Sequence, residues 1–146
     1  MDFERQHTAQ KIVLPYMVIE SIEADIVKFT LTKDTIINME KSLEMFEICK
    51  RLFPDRAYKS LKIVHHQMKI EKDVMDFLAS DQRKGLISME AVVVNSSALK
   101  FLGNFYLKIK KPVIKTRIFD SEAEATQWLK NTTEKNTKIA LNGVAR

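Results

Sequence analysis

His65 and His66 stand side by side, and imidazole is the commonest metal ligand among side chains. They sit at the end of an apolar run that reads as a strand. Successive strand side chains point to opposite faces, so the two rings do not converge on one ion. His7, the remaining histidine, lies in a polar N-terminal stretch. One histidine packed inward and one solvated is the expectation, and no metal site is expected. Asp73 and Asp76 are three apart and share a helix face. Paired carboxylates can raise one pKa and serve acid–base chemistry. Lys69, Glu71 and Lys72 surround them, which favours a solvated charged face. No nucleophile stands at a recognisable spacing from a base, so no catalytic residue and no enzyme is expected. Ser96-Ser97 precede a helical pattern with Lys100 close by. Free amides there can hold an anion, but hydroxyl capping is the plainer reading. Cys49 falls on an apolar arc and packs as a small hydrophobe.

The composition bounds the alternatives. The chain has 146 residues, a net charge of +5, 45% hydrophobic and 29% charged residues, which suits one globular domain with a core of its own. Three widely spaced glycines cannot make a phosphate cradle. A single cysteine excludes an internal disulfide and every multi-cysteine metal cluster. Six lysines and arginines and no acid lie between Ala91 and Phe119: Lys100, Lys108, Lys110, Lys111, Lys115 and Arg117. They spread over a helix back, a loop and a strand, so a solvated surface is expected and a nucleic-acid partner is not. No run approaches the roughly 20 apolar residues of a membrane span, and the first ten residues have no apolar signal core. A cytoplasmic location is expected, and no cofactor is expected.

Strand and helix patterns alternate along the chain. Met17–Ile22 and Ile26–Leu31 read as a hairpin turning at Glu23-Ala24-Asp25. Thr35-Ile36-Ile37 adds a short strand, and Asn38 caps a helix that runs to about Phe53. Leu61–His65 is a strand, and a helix spans about Ile70 to Ala79. Lys84-Gly85 breaks the chain before the buried run Ala91–Val94. A helix runs from Ala98 to about Ile109, stopped by Pro112. Val113–Phe119 is a strand, and Ser121-Glu122-Ala123-Glu124 opens the last helix with a capping-box pattern. The result is an α/β fold: an N-terminal hairpin, then strand–helix units packed as a mixed sheet with helices. Residues 15–130 form the domain, with polar tails at 1–14 and 131–146.

Two helices carry more detail. At about 100° per residue, Ala98, Leu99, Phe101, Leu102, Phe105, Tyr106 and Ile109 fall within roughly 160° of arc, opposite Lys100, Asn104 and Lys108. That places the apolar arc on the sheet and the lysines in water. The first helix spreads Met39, Leu43, Met45, Phe46, Ile48, Cys49, Leu52 and Phe53 over roughly 220°, more than one sheet face needs. The excess meets a neighbouring helix or a partner chain. Met45, Ile48 and Leu52 are the candidate face for a homodimer.

The segment Asn104-Phe105-Tyr106-Leu107-Lys108-Ile109-Lys110-Lys111-Pro112, the run Thr116-Arg117-Ile118-Phe119, and the pairs Glu124-Ala125 and Trp128-Leu129 together resemble the bacterial SpoIIAA-like proteins of the STAS superfamily. Members of that group often show N-F-x-L-K-x-x-K-P, a strand ending in Phe, and an E-A-x-x-W-L helix. The strand–helix order agrees from about Tyr16 to Lys130. The resemblance implies the fold of the anti-sigma-factor antagonists, which are not enzymes. They bind a partner kinase and are switched by phosphate on a serine or threonine at the start of the second helix.

This chain departs there. Leu61 through Ala79 contains no serine or threonine, and His66-Gln67-Met68-Lys69 occupies the switch stretch. The expected function is a regulatory protein–protein interaction module without the phosphoserine switch. By position in the family fold, His66, Gln67, Lys69 and Asp73 are the expected partner-binding residues. A related group has been compared with CRAL-TRIO lipid carriers. That supplies the alternative of an apolar-ligand or lipid carrier.

Overall fold

Alternating burial along Met17–Glu23 (β2) and Ile26–Leu31 (β3) folds these runs into an antiparallel hairpin. The computed structural model describes residues 10–23, 25–32, 34–54, 56–65 and 69–132. Lys11–Leu14 (β1) precedes the hairpin and pairs antiparallel with β2, Leu14 facing Met17 across Pro15-Tyr16. Ile36–Ile37 (β4) leads into Met39–Leu52 (α1), capped by Asn38, whose Oδ1 accepts from the Lys41 amide at 2.9 Å. Then follow Tyr58–Val64 (β5), Lys69–Ile70 (β6), Lys72–Ala79 (α2), a 3₁₀ turn at Asp81–Arg83, and Ile87–Val94 (β7). Ser97–Lys110 (α3), Lys115–Phe119 (β8) and Glu122–Asn131 (α4) complete the described chain.

The main sheet has six strands in the order β1-β2-β3-β5-β7-β8. Its first two pairings are antiparallel and the rest parallel. A short parallel pair, β4 with β6, lies apart from it. This is the expected mixed sheet of an α/β fold with an N-terminal hairpin.

The central strands put their two faces to different uses. Leu61 of β5, Met89, Ala91 and Val93 of β7, and Phe119 of β8 pack on α4 through Ala125 and Leu129. The opposite face carries Tyr58, Val27, Phe29 and Ile87, with Cys49 of α1 and Val74 of α2 over them. Phe46 of α1 meets Phe77 of α2 edge to face, centroids 5.6 Å apart.

Several expectations are corrected. The N-terminal tail is shorter than residues 1–14, because Ile12-Val13-Leu14 carry enough apolar surface to add an edge strand. β6 takes Lys69–Ile70, so α2 starts at Lys72. Of the two outcomes expected for the wide arc of α1, the neighbouring helix is met by Phe46 on Phe77, while Met45 and Ile48 are half-buried and pack on the core, and Leu52 is half-buried.

The largest correction concerns α3, which is rotated from the expected orientation. Phe101, Leu102, Phe105 and Ile109 face outward, and no side chain of α3 is fully buried. Gly103 is the reason. A Cβ there would stand 3.2 Å from Ile118 Cγ1, so the missing side chain lets the helix lie directly on β8. Tyr106 holds the same orientation by donating to the Met75 carbonyl at 2.8 Å.

Candidate functional site

Parallel pairing of β5 with β7 sets Ser60 opposite Glu90. The period of two then puts Ser60, Lys62 and Val64 on the same face as Glu90 and Val92. That face is inside the protein, so a lysine and a glutamate from central strands are both buried. The turn at Asp81–Arg83 adds a third charge from the side. Arg83 is 3% exposed, and its guanidinium donates to Glu90 Oε2 at 2.7 Å and to the Leu78 carbonyl at 2.9 Å. Ser60 Oγ donates to the same carboxylate oxygen at 2.8 Å, and Lys62 Nζ lies 3.2 Å from it.

Two cations therefore share one carboxylate. Burial by itself would raise the Glu90 pKa, but the Arg83 and Lys62 charges and the bonds from Arg83 and Ser60 outweigh it and hold the carboxyl at about 2. Burial pushes Lys62 below its ordinary value. Glu90 opposes that shift and Arg83 adds to it. With Lys62 protonated, the cluster carries one positive charge in excess.

Two members of this cluster, Lys62 and Glu90, lie at the floor of a cavity of about 160 Å³ between the sheet, α2 and α3. Lys62 and Glu90 supply its polar end. Its walls are apolar, from Val64, Ile70, Leu78, Val92, Leu107 and Ile118 among others. A second, smaller space of about 30 Å³ lies beneath α1, lined by Ser42 and Met45. Lys62, Val64, Ile70 and Leu78 line both spaces. Ser42 is 1% exposed, and its hydroxyl has no hydrogen-bond partner among the described residues.

On the far side of α3 is the second feature. Phe101 is 71% exposed, Leu102 58%, Phe105 55%, Ile109 61% and nearby Val113 53%. These are five of the eight exposed large apolar side chains among the described residues, so the exposure is concentrated rather than scattered. By helical spacing Lys108 borders the stripe. Lys100 and Lys110 are partly engaged, with Asp120 at 3.4 Å and Asp76 at 2.6 Å.

The residues expected to act are placed as follows. His66 and Gln67 lie outside the described residues. Lys69 is exposed at the start of β6, its amide donating to the Thr35 carbonyl at 3.1 Å. Asp73 is exposed in the first turn of α2. Asp76 binds Lys110 across to α3, and that contact lowers its pKa. Ser96 is a cap, accepting from the Leu99 amide at 3.1 Å. Cys49 is buried, and burial raises its thiol pKa to about 11, which makes it a poor nucleophile.

The buried charges Lys62, Arg83 and Glu90 were not anticipated. Their signal was present: Lys62 takes an inward position between Ser60 and Val64, and Glu90 abuts the apolar run Ala91–Val94.

The fold is similar to the crystal structure of an uncharacterised protein of the DUF3478 family from Shewanella loihica PV-4, described as having a SpoIIAA-like fold. The TM-score is 0.55 at 8% identity, covering 84% of this chain and 92% of that one, so the likeness is one of fold. No curated protein matches the sequence. Residues 20–133 match a family described as a domain of unknown function, DUF7793. No described helix is long and apolar enough to cross a membrane.

Proposed function

Because the chain belongs to the DUF7793 family and has a SpoIIAA-like fold, we propose that it is a non-enzymatic regulatory module that acts by binding another protein. The observation that carries this reading is the outward stripe of Phe101, Leu102, Phe105 and Ile109 on α3. Aromatic side chains exposed together on a rigid helix are the usual anchors of a protein interface. The occupant is a protein surface with an apolar ridge flanked by carboxylates, complementary to Lys108, Lys111 and the other cations of the window between Ala91 and Phe119. A bilayer fits less well, because Asp76 and Asp120 stand at the rim beside Lys110 and Lys100. The docking surface is then α3, displaced from the switch stretch that position in the family fold suggests. A cytoplasmic setting is part of the same proposal.

Photo-crosslinking from position 105 in the native host, followed by titration of the purified cross-linked protein, tests this reading. The expected outcome is a saturable complex that Phe101→Asp with Phe105→Asp weakens at least about 30-fold, as loss of an interface anchor does. A stripe that captures only a second copy of the chain, or only anionic vesicles, overturns it. A second reading, an apolar-ligand carrier, is favoured by the cavity of about 160 Å³ behind the same helix.

A further inference from the structure

The cavity and its floor say more about a ligand than its apolar walls do. Lys62 and Glu90 lie at the floor, Arg83 pairs with the same Glu90 oxygen, and no second acid balances the excess positive charge among the described residues. Lys62, 8% exposed, lies between the two spaces and lines both. The smaller space also holds the buried Ser42 hydroxyl, a donor with no acceptor among the described residues. An excess cation and an unmatched donor lining the same small space call for an anion that accepts hydrogen bonds. The smaller space, about 30 Å³, has the size of a headgroup, not of a chain. The larger one is walled mainly by aliphatic side chains. At about 160 Å³ it is close to a cavity of about 150 Å³ known to accept benzene, so it holds a chain of roughly six to eight carbons.

We infer that this chain binds a medium-chain aliphatic monocarboxylate, its carboxylate received by Lys62 and Ser42 and its hydrocarbon tail lying against Val64, Leu78, Leu107 and Ile118. The inference rests on the apolar-ligand reading and adds the headgroup. The carboxylate supplies the missing negative charge, giving two acids to two cations. The hydroxyl of Ser42 donates to it, and the tail removes apolar wall from water.

Isothermal titration of the full chain with octanoate and with 1-octanol separates the two layers of this inference. The expected result is saturable binding of octanoate at one site and at least about tenfold weaker binding of octanol. Lys62→Met retains the Arg83–Glu90 pair and is expected to fold. It should lose at least about tenfold in octanoate affinity and bind octanol no worse. Ser42→Ala, tested beside it, should weaken octanoate alone and keeps the inference testable if Lys62→Met does not fold. Equal affinity for acid and alcohol overturns the carboxylate assignment and leaves the apolar-ligand reading standing. Binding of neither overturns both. Unchanged octanoate affinity in both folded variants places the acid elsewhere and overturns the site.

Discussion

Removing the Glu90 carboxylate leaves Lys62 and Arg83 buried beside each other with no counter-charge. Glu90→Gln is therefore expected to lose about 3–5 kcal/mol of stability, the usual cost of breaking a buried ion pair from one side. Lys62→Met has the opposite logic. It removes the excess cation, keeps the 2.7 Å Arg83–Glu90 contact and adds apolar surface to the floor. Its urea midpoint should stay level or rise. Acid sensitivity follows from the same cluster. Glu90 titrates at about 2 in the folded chain, against an ordinary 4.5. A depressed carboxyl pKa stabilises fully above the unfolded value and loses that contribution as pH falls through the folded one. The window is thus from about pH 4.5 down to about pH 2, with about 3 kcal/mol at stake. Urea midpoints measured at pH 6 and pH 3 should show the drop, and Glu90→Gln should flatten it.

At the scale of the element, α3 is positioned by what it lacks. Its inward line is Leu99, Gly103, Tyr106 and Leu107, none of them fully buried, and Gly103 gives the close approach to Ile118. Gly103→Leu would push the helix off β8. A loss of about 1–3 kcal/mol is expected, as for other overpacked contacts, read as a lowered thermal midpoint. The same substitution disturbs the cavity, since Leu107 and Ile118 line it. α1 shows the reverse case. Its wide apolar arc looks like a docking face when the helix is taken alone. In the fold it is divided between the sheet and Phe77 of α2, and Met45 faces the smaller cavity.

Over the whole molecule, α3 has two sides with two roles. Its inner side closes a cavity over a charged floor, and its outer side offers Phe101, Leu102, Phe105 and Ile109. A ligand that fills the cavity touches Tyr106 and Leu107, so it bears on the helix that presents the outer stripe. The outer residues support little of the fold because they are mostly in water. Phe101→Asp with Phe105→Asp should therefore leave stability nearly unchanged, within about 0.5 kcal/mol per site, while weakening association as stated above. A melting curve run beside the binding titration separates loss of docking from loss of folding.

Apart from the edge strand β1 and the two-residue β6, the order of strands and helices could be read from the amino acids, because periodicity and capping are local. Asn38, Ser96 and Ser121 each accept from the amide three residues on, as their places before apolar runs foretell. The hairpin, the buried run Ala91–Val94 and the family likeness belong to the same local layer. The rotation of α3 does not. Its apolar arc is wide enough to face either way, and the choice depends on whether Gly103 or Phe105 meets Ile118, a contact across 15 residues of chain. The charged floor is tertiary for the same reason. Lys62 and Glu90 are ordinary solvated residues until β5 and β7 pair in parallel and two helices cover them. Backbone preference acts between neighbours in sequence, whereas burial of a charge is decided by neighbours in space.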